Sequence, residues 1–159
     1  MSQLKQKASR MIIRKYNHDI DWERICEIHD LARPGELEGS ASKEAFIPLQ
    51  KCYKEEELFN DEIFVGKINN TIGFVAFNDH DISWLYIHPN YQKKGYGRQL
   101  LQFAIKKTQR RTKVVVLNKN FKAISLYKSE GFIIAKTKTG KIPLTNVGAT
   151  AHRMIKKNN

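Results

Sequence analysis

The sequence predicts an α/β chain with a mixed, mostly antiparallel sheet of about seven strands flanked by about four helices. Three observations predict it. "EIFVGK", "TIGFVAFN" and "DISWLYIH" read as successive strands joined by asparagine-rich turns. "GYGRQLL" turns the last of these into a helix, and "KVVVL" then leads a further helix and two closing strands. At 159 residues the chain suits one domain, 1–159, able to bury roughly two thirds of its unfolded surface. With 41% hydrophobic and 28% charged residues it reads as soluble and globular rather than disordered.

Taken in order, "MIIRKY" (11–16) is a first strand. A helix follows in "DIDWERICEIHDLA", where Trp22, Ile25, Ile28 and Leu31 share one face and Asp19 or Asp21 caps the start. "RPGELEGS" is expected to be a loop, and Ser42 to begin a second helical region broken at Pro48. Asn69-Asn70 turns the first hairpin, and Asn78-Asp79 helps to turn the second. Beyond Gly97, Leu100, Leu101, Ala104 and Ile105 give a helix its buried stripe. Lys106, Lys107, Arg110 and Arg111 stand at its C-terminal end, where the helix dipole favours cations. "KVVVL" (113–117) is the kind of short apolar strand that is buried on both faces. "NFKAISLYKSE" is a helix with Ala123, Ile124 and Tyr127 on one side and Gly131 closing it. "FIIAKT" and "ATAHRMIK" are the last strands, joined by a loop containing Gly140 and Pro143.

The N-terminus has basic residues but no apolar core of a signal peptide, and no apolar run approaches the ~20 residues that cross a bilayer. The expected location is the cytoplasm, with no membrane partner. Cys26 and Cys52 lack a CxxC spacing or a nearby histidine cluster, so reduced thiols are expected and no metal. Charge is strongly segregated. Residues 19 to 62 hold 13 acidic and 5 basic side chains, while the rest of the chain, with net charge +12 overall, holds 3 acidic and 23 basic ones. Such asymmetry points to one surface for an anion and another for a cation.

The stretch "HPNYQKKGYGRQLL" carries the first chemical signal. Gly95 and Gly97 let backbone amides approach a bulky anion at a helix start, and Lys93, Lys94 and Arg98 add charge. A P-loop needs lysine and a hydroxyl after its last glycine, where this chain has Arg98-Gln99. A dinucleotide fingerprint needs a third small residue, where it has Leu100. What remains is a phosphate or pyrophosphate cradle between a strand and a helix. In "LNKNFKAISLYKSEGF", Asn120 and Tyr127 lie seven residues apart, on the same side of one helix.

Together the two stretches resemble the GNAT family of N-acetyltransferases. The family's Gln/Arg-x-x-Gly-x-Gly/Ala turn is matched by Gln92, Lys93, Lys94, Gly95, Tyr96 and Gly97. Its Asn-x-x-Ala-x-x-x-Tyr-x-x-x-Gly-Phe pattern is matched by Asn120, Ala123, Tyr127, Gly131 and Phe132. The resemblance covers 82–133 and implies a GNAT-like sheet with a splayed fourth strand. It implies acetyl-CoA as donor and no metal, with the amides of residues 93 to 98 on the pyrophosphate. Leu85, Tyr86 and Ile87 would pair through their backbone with the pantetheine arm, and an amide there would polarise the thioester carbonyl. Asn120 would hydrogen-bond the cofactor, and Tyr127 would stand near its sulfur as general acid. The implied reaction is direct attack by a primary amine in a ternary complex.

In the branch of the family that acts on protein amino termini, a glutamate lies five positions before the motif asparagine; here that position is Val115. Asp81, Ser83, His88, Glu23 and Glu27 are the nearest other candidates, and no base is assigned. The family's acceptor wall falls on the acidic first helices, so a cationic amine is expected, held by Glu36 and Glu38, with Trp84 and Trp22 nearby. Two alternatives stand beside this reading. One is a GNAT toxin acetylating aminoacyl-tRNA; the other is a non-catalytic module binding coenzyme A or nucleic acid. Nucleic-acid contact and a homodimer are left open.

Overall fold

Strands β1 (Ile12–Lys15), β2 (Glu62–Ile68), β3 (Asn70–Phe77) and β4 (Ile82–Ile87) form an antiparallel sheet in that order. A second antiparallel sheet has the order β5-β7-β6, from β5 (Arg111–Leu117), β6 (Ile133–Lys141) and β7 (Gly148–Lys157). The computed structural model describes residues 10–108 and 111–158, so the cation expected at Arg110 lies outside the described residues. Helices α1 (His18–Leu37), α2 (Leu49–Cys52), α3 (Tyr96–Lys107) and α4 (Phe121–Ser129) flank the sheets. Among the described residues no helix is long and apolar enough to cross a membrane.

β3 explains the layering. Its side chains alternate between two cores: Val75 and Phe77 pack with Leu100, Leu101 and Tyr127 of α3 and α4, while Phe74 and Ala76 pack with Ile25 and Ile28 of α1. A strand buried on both faces is the reason its sequence is a nearly continuous apolar run. The turns follow their residues. Asn69 takes a left-handed φ of 59°, and the Asn78 side chain accepts from the amides of His80 and Asp81 at 3.0 and 2.9 Å. Cys26 of α1 and Cys52 of α2 are free and buried in one core cluster, where burial pushes each thiol up to about 12.

Three segments differ from expectation. "RPGELEGS" is not a loop throughout: α1 runs through Pro34 to Leu37. Proline within a helix costs about 3 kcal/mol. Here Leu37, 3% exposed, is buried against Ala45 and Ile142, which favours continuing the helix. β5 is buried on one face only. Thr112, Val114 and Val116 point into the core, whereas Val115 is 65% exposed. The end of α1 reaches only Leu117, at the far end of the strand, so its other face is left uncovered. Gly140 lies inside β6, paired with Ala149, so the last hairpin is longer than the sequence suggests.

α1 is fastened at its start. Both Asp21 carboxylate oxygens accept from Arg14 at 2.7 and 2.8 Å, and the Asn17 amide adds a bond of 2.8 Å. Burial alone would raise the Asp21 carboxyl, but these hydrogen bonds outweigh it and hold it below the ordinary range. Asp21→Asn is expected to lower stability by about 1.5–3 kcal/mol, the range for a hydrogen bond to a charged group. A depressed folded pKa gives stability that is present above the unfolded value and lost as pH falls through the folded one. Urea midpoints of wild type and mutant are therefore expected to converge below about pH 4.

Candidate functional site

β4 and β5 run parallel, joined by α3, and meet through one bridge, Asp81 to Lys113. The Lys113 amide donates to the His80 carbonyl at 2.7 Å, and its ammonium lies 2.9 Å from Asp81. Beyond that point no ladder joins the two strands among the described residues, and a cleft opens between them. The His88 amide donates to Ile72 of β3 at 2.7 Å. By strand alternation the amides of Leu85 and Ile87 therefore face the cleft. The Ile87 carbonyl already accepts from Gln92 Nε2 at 3.0 Å, which anchors the glycine turn to the end of β4.

That turn presents a set of free donors. Lys93 and Gly95 take left-handed φ values of 62° and 89°, and α3 begins at Tyr96 without a side-chain cap. Among the described residues, the amides of Lys93, Lys94, Gly95, Gly97 and Arg98 have no hydrogen-bond acceptor. A Cβ built on Gly95 would meet nothing within 4 Å, so open space lies in front of it. Uncapped amides at the start of a twelve-residue helix form an anion site. Tyr96 turns inward and is buried. Lys94 lies over the Tyr91 ring, and the Arg98 side chain is held by Glu130 and by Ser129 at 2.9 Å. Arg98 thus offers the site its amide rather than its guanidinium.

From the other side of the cleft comes α4. Asn120 is its N-cap, half-buried, accepting from the Ala123 amide at 3.4 Å. The Tyr127 ring is buried against Phe132, in the same cluster as Ile87 and Tyr96. Its hydroxyl has no hydrogen-bond partner among the described residues. Burial, and then the carboxylate of Glu36, push the Tyr127 hydroxyl well above its ordinary range. The same two causes lead for Tyr86, whose hydroxyl is also raised by the charge of Glu36. Glu36 is positioned by Arg33 at 3.4 Å, one helical turn earlier on α1.

The remaining predicted residues lie apart from this group. Glu38 is exposed at the C-terminal cap of α1. Trp84 is 5% exposed, packed under α1 against His29 at 5.9 Å, and Trp22 joins a separate aromatic cluster with Tyr53 and Phe59. Among the base candidates, Asp81 is paired with Lys113, Glu27 with Arg24, Glu23 and Ser83 are exposed, and His88 accepts from the Asn90 amide.

His29 belongs to no motif legible in the sequence. It is 2% exposed, edge-on to Tyr86 at 4.9 Å, with Nδ1 2.8 Å from Asp30. Burial pushes its pKa down, so it is neutral at neutral pH. Asp30 also accepts from the Leu49 amide at 2.9 Å, tying α1 to α2. The signal was its position four residues after Ile25, on the buried face of α1. Among the described residues no group of three or more metal-ligating side chains exists.

Residues 59–134 match the acetyltransferase (GNAT) domain family. The N-acetyltransferase paia of Thermoplasma acidophilum, in complex with coenzyme A, superposes with a TM-score of 0.71 at 21% identity, over 94% of this chain and 99% of that one. The yncA protein of Salmonella typhimurium, with its cofactor acetyl-CoA, gives 0.69 at 21% identity over 95% of each chain. A ribosomal-protein-alanine N-acetyltransferase from Brucella melitensis gives 0.66 at 17% identity, over 92% of this chain and 99% of that one. No curated protein matches the sequence significantly. The matched segment holds the glycine turn and α4, and the chain as a whole shares the fold of these neighbours.

Proposed function

We propose that the protein transfers an acetyl group from acetyl-CoA to a primary amine on a cationic small molecule or peptide. One observation carries this reading. The unbonded amides of the glycine turn and the unpartnered Tyr127 hydroxyl belong to elements packed in one cluster around Ile87, at the open end of the β4/β5 cleft. The residues present fit the donor. The amides of Lys93 to Gly95, Gly97 and Arg98 suit a pyrophosphate, the cleft-facing amides of Leu85 and Ile87 suit an extended amide-bearing arm, and Asn120 lies at the cleft's edge. The thioester, when bound, supplies the activated acyl group.

The protein's own groups supply position and charge. A β4 amide would hold the thioester carbonyl and favour the negative charge that develops there. Tyr127, kept protonated by burial and by Glu36, would donate toward the leaving sulfur. Glu36 would hold the acceptor's ammonium and take its proton, either directly or through one water. The acidic composition of residues 19 to 62 supports a cationic acceptor around it.

The test is thiol release from acetyl-CoA across a panel of primary amines and peptides. Turnover is expected with cationic amines and not with their neutral isosteres; no release with any amine would overturn the reading. Within that assay, Glu36→Gln should raise KM for a cationic amine about tenfold and leave acetyl-CoA affinity unchanged. Added salt should narrow the difference, since partly exposed charges are screened within ~10 Å at 0.1 M. Glu38→Gln, on the exposed cap, should change little.

A further inference from the structure

The uncovered face of the second sheet is a surface that acetyl transfer does not use. Strand alternation and pairing put Arg111 and Lys113 of β5, Arg153 and Lys157 of β7, and Lys136 and Lys138 of β6 on that face. Alternate residues along a strand lie roughly 6.6 Å apart and neighbouring strands about 4.8 Å apart, so the cations form a lattice on that scale. Asp81, the carboxylate among the described residues that line its hollow, is paired with Lys113 at 2.9 Å. Arg111 and Arg153 have no acidic partner among the described residues. With His80, Asp81, Lys113 and Ile155 they line a hollow of about 260 Å³. Val115 and Ile133 lie between the cations, 65% and 63% exposed.

We propose that this face binds the phosphodiester backbone of a nucleic acid. A folded protein partner would present both signs of charge, whereas the lattice is of one sign over three strands, which suits a chain of repeated phosphates. Strands β5, β6 and β7 carry no Phe, Tyr or Trp on which bases could stack, so binding is independent of sequence and steeply dependent on salt. Donor and acceptor chemistry sit at the other end of the cleft, and this inference stands whether or not the acetyl-transfer reading holds.

The experiment is fluorescence anisotropy of a labelled mixed-sequence single-stranded RNA, titrated with the protein at several salt concentrations. Arg111→Glu with Arg153→Glu should weaken binding at least tenfold. It should also flatten the log–log salt slope by about 1.4, from roughly 0.7 per phosphate contact on a single strand. Lys122→Glu with Lys128→Glu on α4 makes the same change in net charge and should cost less than threefold. Thermal melting confirms that both doubles are folded. Displacement by unlabelled RNA or duplex DNA, whichever is stronger, identifies the source of the backbone and supports the proposal. Equal loss in the two doubles, no RNA binding by wild type at 50 mM salt, or equal displacement by polyglutamate would overturn it. The last result would assign the face to an acidic protein instead.

Discussion

Gly97→Asp is expected to weaken coenzyme A binding by on the order of 10²- to 10³-fold while leaving the free protein as stable as wild type. A unit charge 4 Å from another costs about 4 kcal/mol at the effective dielectric of a protein surface, and each 1.4 kcal/mol is a factor of ten. The fold should tolerate the change. A Cβ at Gly97 would lie 3.7 Å from Ile87 Cγ1, an ordinary contact. An aspartate in the first turn of α3 also complements the helix dipole. Gly97→Ala should therefore bind nearly as well as wild type, and the two substitutions separate charge from bulk. Titration calorimetry with coenzyme A reads the first effect and thermal melting the second. Near-wild-type affinity in Gly97→Asp would place the anion site elsewhere.

Tyr127→Phe should lower kcat by on the order of 10²-fold, the usual loss when a positioned acid is removed. The phenyl ring keeps the packing against Phe132, and the hydroxyl has no partner to abandon, so stability and coenzyme A affinity should hold. Acceptor KM should change little, because the lost interaction belongs to the transition state. The pH profile adds a second reading. Burial and Glu36 raise the hydroxyl's pKa above the assay range, so the group stays protonated throughout. The mutant's profile should therefore be lower than that of wild type but of the same shape. A fall of less than threefold would return Tyr127 to packing alone.

How much of this was legible depended on whether one segment held the whole cause. The glycine turn and the Asn120–Tyr127 helix were legible because each is a local device, with φ > 0 at Gly95 and an N-cap at Asn120. β3 was legible from its apolar run. The continuation of α1 past Pro34 was not, because the cause lies in Ala45 and Ile142, distant in sequence from Leu37. Val115 looked buried because its neighbours are, yet burial on the second face depends on a covering element that no local pattern reports. The influence of Glu36 on Tyr86 and Tyr127 needed the same information: the three stand on α1, β4 and α4, and the sequence separates them by tens of residues. Charge segregation was visible, but its concentration on one face of β5, β7 and β6 required the strand register.

The divergence of β4 from β5 has a consequence for how this protein can change over time. Around the cleft, the groups offered to a donor are largely peptide amides, which every residue but proline carries. Substitution along β4 and the glycine turn can therefore proceed far without erasing that half of the site, provided the backbone keeps its course. On the proposed reading the acceptor side depends on a few named side chains, Glu36 above all, and one mutation there would redirect it. The chain keeps about a fifth of its residues in common with two neighbours of the same fold, one described with acetyl-CoA and one with coenzyme A. On that reading inheritance is uneven: what is received would be held in the main chain and persist, and what is acted upon would be held in side chains and drift.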